Sequence, residues 1–186
     1  MAALPGVDIH EEPDVFYLSS NAPVLYLNSV FNARFNGNAV QKIESASEYF
    51  RGLSDSYTWF ITPSSEPENL GEQILALGGE LLKTVPHMVI QLDEIQRELP
   101  IPSNFFCQPV RTRDQLADWI SIYCQARDSE ASTDKLYAIF SGLDLTETSQ
   151  LQLVLGYVED QPVATYSVFL DEELSGFYSL STVPCA

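Results

Sequence analysis

The chain is short of positive charge. Nine lysines and arginines stand against 26 aspartates and glutamates, a formal net charge of −17. Such a field repels phosphate backbones and anionic headgroups, which argues strongly against nucleic acid or an anionic membrane surface as partner. It would attract a cationic amine, although acidic surfaces also serve solubility alone. Toward the C-terminal end the shortage is complete. Lys135 is the last basic residue, and Asp144, Glu147, Glu159, Asp160, Asp171, Glu172 and Glu173 follow it. A diphosphate bound to this segment would find no cation within it and would need backbone N–H groups or a charge from another part of the chain.

Cysteine and histidine are scarce as well. Cys107, Cys124 and Cys185 form no Cys-x-x-Cys pair, and an odd count argues against a disulfide framework. They read as small apolar groups or incidental thiols, since neither histidine is near them in sequence. His10 and His87 are too isolated to suggest a metal site. Residues 1–15 have no basic start and no apolar stretch, so no secretory or transit signal is expected there. Runs such as 151–158 are too short and too polar to span a bilayer. The expected location is cytoplasmic.

Hydrophobic residues make up 45% of the chain, and its 186 residues suffice for one large domain or two small ones. Two prolines in Glu98-Leu99-Pro100-Ile101-Pro102-Ser103-Asn104 favour an extended connector. The expected organisation is therefore a first domain over 1–98, a linker over 99–104 and a second domain over 105–186.

In the first half, 22–35 reads as one or two strands. Val40, Ile43, Ala46, Ser47 and Phe50 recur at helical spacing, with Gly52 as a C-terminal stop. A strand is expected over 58–62. Ser65 and Glu68 form a capping-box pattern ahead of the stripe Leu70, Ile74 and Leu77, which Gly78-Gly79 ends. A strand over 88–92 closes the half.

The second half opens with a strand over 105–110. Thr112 and Gln115 make another capping box, and Leu116, Trp119, Ile120 and Tyr123 share one helical face. Leu136, Ile139, Phe140 and Leu143 repeat the spacing. Three strands follow, over 151–158, 163–170 and 175–183, with turns at 159–162 and 171–173. No low-complexity segment or short-period repeat interrupts them.

The order strand, helix, helix, strand, strand, strand, with Gly156-Tyr157-Val158-Glu159-Asp160-Gln161-Pro162-Val163-Ala164-Thr165 before the second of the last three strands and Ser181-Thr182-Val183-Pro184 ending the third, resembles the first half of the GCN5-related N-acetyltransferase (GNAT) fold. The first half of the chain is similar to an N-terminal domain found with some bacterial members. The residues that carry this likeness are Thr58-Trp59-Phe60, Pro63-Ser64-Ser65, Pro67, Leu70, Gly78-Gly79 and His87-Met88.

The resemblance implies an α+β fold with a mixed, mostly antiparallel sheet and flanking helices, in two similar halves of which the second is incomplete. It implies acetyl-CoA as co-substrate and acetyl transfer to an amine of a small molecule or peptide. It also implies Leu180, Ser181, Thr182 and Val183 as cofactor contacts, made through the backbone. The family's Arg/Gln-x-x-Gly-x-Gly/Ala turn brings backbone and a helix N-terminus to the pyrophosphate. No glycine follows Gly176, so the expectation is a scaffold that stops before this turn and has weak or no turnover.

Acetyl transfer needs a base for the amine and donors for the thioester oxyanion. Tyr178, Ser179 and Ser181 would lie near that chemistry but are ordinary strand residues. Glu159, Asp160 and the 171–173 cluster are solvated turn carboxylates. Asp128 and Glu130 fall where the family's substrate-facing loop would be and could attract an amine, or merely solvate a connector. No catalytic side chain is assigned. The alternative is a non-catalytic binding or dimerising module, in which a second copy or a partner covers the edge of the last strand. A third reading is an α/β ligand-binding protein unrelated to acetyl-CoA.

Overall fold

A computed structural model of the chain describes residues 4–20, 22, 24–53, 56–95 and 100–183. The chain folds as two compact units, Val7–Pro100 and Ile101–Ala186, the second of which also takes in Met1–Gly6. Pro5 joins the second unit because Gly142 leaves it room: a Cβ there would sit 2.3 Å from the proline ring. Among the described residues no helix is long and apolar enough to cross a membrane.

The first unit is a four-stranded sheet in the order β1 (Val7–Glu12), β2 (Val15–Ser20), β3 (Ser29–Phe31) and β4 (Thr58–Trp59). β1, β2 and β3 pair antiparallel, and β4 joins β3 in parallel. Helix α1 (Ala39–Phe50) lies between β3 and β4 in sequence, capped by Asn38, whose side chain accepts from the Gln41 N–H at 3.2 Å. It buries Ala39, Ile43, Ala46 and Phe50, which pack with Val15, Tyr17, Val30, Phe35 and Leu70.

Several expectations for this half are corrected. The β1–β2 hairpin is not legible in the acidic N-terminal residues, because β1 is an edge strand with Asp8, Ile9, His10 and Glu11 all exposed and so shows no apolar alternation. Val40 is 41% exposed, and Ala39 takes its place on the buried face. The strand over 58–62 shrinks to Thr58–Trp59, and 22–35 holds a 3₁₀ turn (Leu25–Leu27) and β3.

The Ser65–Glu68 capping box does not form. Ser65 Oγ instead accepts from the Thr62 N–H at 3.0 Å. The Glu66 N–H is bound to the Ala33 carbonyl at 3.0 Å, and the Glu66 carbonyl accepts from the Phe35 N–H at 3.0 Å. With that backbone held in a bridge to Arg34, helix α2 (Leu70–Ala76) begins only at Leu70. Its stripe keeps Leu70 and Ile74, while Leu77 lies past its end and is 45% exposed.

The strand over 88–92 is also absent. Met88 and Val89 are 87% and 90% exposed and no described strand pairs with them. Apolar pattern alone cannot make a strand, whose backbone groups need a neighbouring edge.

The second unit follows the expected order closely. It comprises β5 (Phe105–Pro109), α3 (Arg113–Gln125), a 3₁₀ turn (Glu130–Ser132), α4 (Thr133–Phe140), β6 (Leu151–Val158), β7 (Gln161–Leu170) and β8 (Ser175–Thr182). The four strands pair antiparallel in sequence order, with β8 on one edge. Glu98 and Leu99, at the start of the expected connector, lie outside the described residues, as do Pro184 and Cys185. The β6–β7 turn is tighter than expected: Glu159 (φ 50°) and Asp160 (φ 67°) form a two-residue link, and Gln161 already pairs with Val158.

Gly156 is closely packed: a Cβ there would come within 3.1 Å of the Phe105 ring and of Ala164 Cβ, so those side chains would have to give. Leu116, Trp119, Ile120, Tyr123, Leu136 and Ile139 from the helices and Leu153, Leu155, Thr165 and Ser167 from the sheet are buried.

Both halves of the Thr112–Gln115 capping box are present. The Gln115 side chain accepts from the Thr112 N–H at 3.1 Å, and Thr112 Oγ1 accepts from the Gln115 N–H at 3.2 Å. Thr112→Ala is expected to cost about 1 kcal/mol, seen as a lower urea midpoint, with Thr112→Ser close to wild type. An unchanged midpoint in the alanine variant would show that water replaces the cap at no cost.

Candidate functional site

The site expected from the sequence falls on β8 and its approach. The Val183 N–H donates to the Val163 carbonyl at 3.0 Å, and Thr182 and Ser181 stand opposite Ala164 and Thr165. In an antiparallel ladder, alternate residues turn their N–H and C=O toward the partner strand. Val183 and Ser181 are therefore committed to β7, and Thr182 presents both backbone groups to the open edge. The four expected residues thus divide: Ser181 and Val183 turn their backbone to β7, while Thr182 and Leu180 turn theirs outward, the Leu180 carbonyl toward Arg127.

Leu180 owes its position to a bulge. Tyr178 pairs with Ser167 and Ser181 with Thr165, so Ser179 and Leu180 together oppose Tyr166. Ser179 adopts the left-handed region (φ 57°) to make this fit. Its carbonyl accepts from Thr165 Oγ1 at 3.0 Å and from Ser181 Oγ at 3.2 Å. Thr165 is 1% exposed, so the bulge is held from beneath by a buried hydroxyl. Phe177, Tyr178 and Leu180 expose their side chains along the same strand.

Sequence reasoning missed the cation here. Arg127, just past the end of α3, lies over the Tyr123 ring at 3.8 Å from its centroid. Its Nη1 donates to Ser181 Oγ and, at 3.4 Å, to the Tyr123 carbonyl, while Nη2 reaches the Leu180 carbonyl at 3.5 Å. Local chemistry sets this placement. The chain leaves α3 through Asp128 in the left-handed region (φ 50°), and the Cys124 carbonyl accepts from the N–H groups of Arg127 and Ser129.

Tyr123 stacks on Trp119 at 5.1 Å, which contacts Phe140 at 5.9 Å, so a column of rings runs from the core to the guanidinium. The available signal was spacing: Arg127 is four residues after Tyr123 and at a helix C-terminus, where cations are favoured.

The other candidates do not converge on β8. Glu159 Oε1 accepts from Asn104 at 3.5 Å, and Asp171 Oδ1 accepts from the Glu172 N–H at 2.8 Å, both in turns. Asp128 and Glu130 lie in the connector after α3. Tyr166 has its pKa raised by burial and by Cys107, and Tyr157 by burial and by Asp118, so both hydroxyls stay protonated at neutral pH. Cys107 is exposed and Cys124 buried. Among the described residues no group of three or more His, Cys, Asp or Glu could hold a metal ion.

A four-stranded antiparallel sheet entered through strand–helix–helix and ending on a bulged edge strand defines the class: the chain has a GNAT-like α+β fold. The solved structure of a GCN5-related N-acetyltransferase from Kribbella flavida matches it with a TM-score of 0.67 at 13% identity, over 96% of this chain and 67% of that one. A functionally unknown conserved protein from Staphylococcus epidermidis ATCC 12228 matches with a TM-score of 0.56 at 14% identity, over 98% of this chain and 74% of that one. The likeness is one of fold and extends over both units. Neither a protein-family profile nor a curated protein sequence matches the chain.

Proposed function

We propose that the chain is an N-acetyltransferase scaffold that receives the pantetheine arm of acetyl-CoA along the outer edge of β8 and directs its acetyl group to an amine. One observation carries this reading: on a GNAT-like fold, the edge strand keeps Thr182 N–H and C=O turned outward beside a bulge held by Thr165. A pantetheine arm carries two amides, which pair with strand backbone as another strand would. The acidic chain favours approach of a cationic amine. No side chain is assigned as base.

Affinity from a strand edge alone is modest. Titration calorimetry of the 186 residues is expected to show acetyl-CoA binding with Kd on the order of 0.1–1 mM, that is about 4–5.5 kcal/mol. Amide exchange at Thr182 is expected to slow on binding. Heats indistinguishable from dilution at millimolar acetyl-CoA would refute the cofactor reading for this chain.

A further inference from the structure

Resting on that reading of the β8 edge, we propose that Arg127 is an oxyanion-recognition group, and that the ligand bound there carries a carboxylate or phosphate that its guanidinium grips. The argument begins with what Arg127 does not hold. The described ion pairs are His10–Glu12, Lys42–Glu12 and Lys42–Asp14, all in the first unit. In a chain with 26 acidic residues, Arg127 instead contacts neutral acceptors: two backbone carbonyls and the Ser181 hydroxyl.

A guanidinium has five donors in a planar fork, and oxyanions fit that fork better than single carbonyls do. The carbonyl contacts are long, 3.5 Å to Leu180 and 3.4 Å to Tyr123, so an incoming oxyanion displaces weak bonds there and competes with the Ser181 hydroxyl for Nη1. The fork is also preorganised, because the Tyr123 face holds it by cation–π attraction and Tyr123 is itself buried and stacked on Trp119. It stands beside the backbone that the proposed cofactor would use, in a half of the chain with no basic residue after Lys135. Arg127 is thus the charge from elsewhere in the chain that an anionic ligand on this segment requires.

Two sources of oxyanion share this chemistry, a phosphate of the cofactor and a carboxylate on the acceptor, and two probes separate them. Inorganic pyrophosphate and N-acetylaspartate are titrated separately into the 186-residue protein at low ionic strength, using wild type, Arg127→Gln and Arg127→Lys. Wild type is expected to bind at least one probe saturably. Arg127→Gln is expected to weaken that binding about tenfold or more, and Arg127→Lys, which keeps the charge and loses the fork, to retain part of it.

A loss confined to pyrophosphate assigns the oxyanion to the cofactor, and a loss confined to N-acetylaspartate assigns it to the acceptor. Equal binding by wild type and Arg127→Gln, in proteins with matching circular dichroism, overturns the proposal, as does wild type binding neither probe. Probe binding that depends on Arg127 in a protein that ignores acetyl-CoA would instead refute the acetyl-transfer reading and leave this one standing.

Discussion

Trp119→Ala is expected to destabilise the second unit by about 3–5 kcal/mol, the range for deleting a large buried aromatic. Trp119 is 1% exposed, stacks on Tyr123 and contacts Phe140. Its indole N–H donates to the Tyr166 carbonyl at 3.2 Å, tying α3 to β7. Alanine leaves a cavity between helix and sheet and also removes the ring that supports Tyr123 and hence Arg127.

With a urea slope of about 1–3 kcal/mol per M, the midpoint followed by far-ultraviolet circular dichroism should fall by roughly 1–5 M. Trp119→Phe keeps most of the packing and loses the N–H, and should cost about 1–2 kcal/mol. An alanine variant that melts with wild type would mean that the α3–sheet interface is not the core of this unit.

The second large effect is at high pH. Burial, and next the charge of Glu12, push the Tyr17 hydroxyl up to about 12 from an ordinary value near 10. A group whose folded pKa is raised contributes stability that is fully present below the unfolded pKa and is lost as pH rises through the folded one. Between pH 10 and 12 the unfolded chain has released this proton and the folded chain keeps it, so stability falls by up to about 3 kcal/mol.

Tyr17 is 3% exposed, so solvent screening does little to reduce this. Tyr17→Phe should flatten the decline of the urea midpoint from pH 9 to 12. The slope that remains belongs to Tyr166 and Tyr157, also raised by burial, and to Lys42, raised by its hydrogen bonds to Asp14 and Glu12. Lys42 is partly exposed at 37%, and its share is at most about 1 kcal/mol. A phenylalanine variant with the same alkaline slope as wild type would refute the assignment to Tyr17.

What was legible in the residues depended on how local the determining interactions are. Helices α1 and α3 declare themselves because a 3.6-residue stripe is a short-range feature, as is the cap that Thr112 forms with Gln115 in α3. Strands β6 and β7 are nearly as plain, since both supply buried residues, although their link is two residues and not the four expected. The helix expected from Ser65 starts at Leu70 because the Glu66 backbone is bound to Ala33 and Phe35, some 30 residues away in sequence. For the same reason residues 88–92, apolar enough for a strand, form none without a ladder partner.

The candidate site shows the same division more sharply. The resemblance carried by the element order implied the last strand as the binding element, and the loss of basic residues after Lys135 posed the question of which charge could serve an anionic ligand there. Strand pairing decided that Thr182 and Leu180, and not Ser181 or Val183, turn backbone outward, because ladder parity and the bulge opposite Tyr166 depend on β7. Packing of α3 on the sheet brings Arg127, 54 residues from Ser181 in sequence, into hydrogen-bond contact with it in the fold. The sequence by itself determined most elements of the second unit, their order and the deficit of charge, all encoded in neighbouring side chains; only tertiary structure decided which backbone of β8 faces outward and which cation reaches it, because both follow from pairing between distant segments.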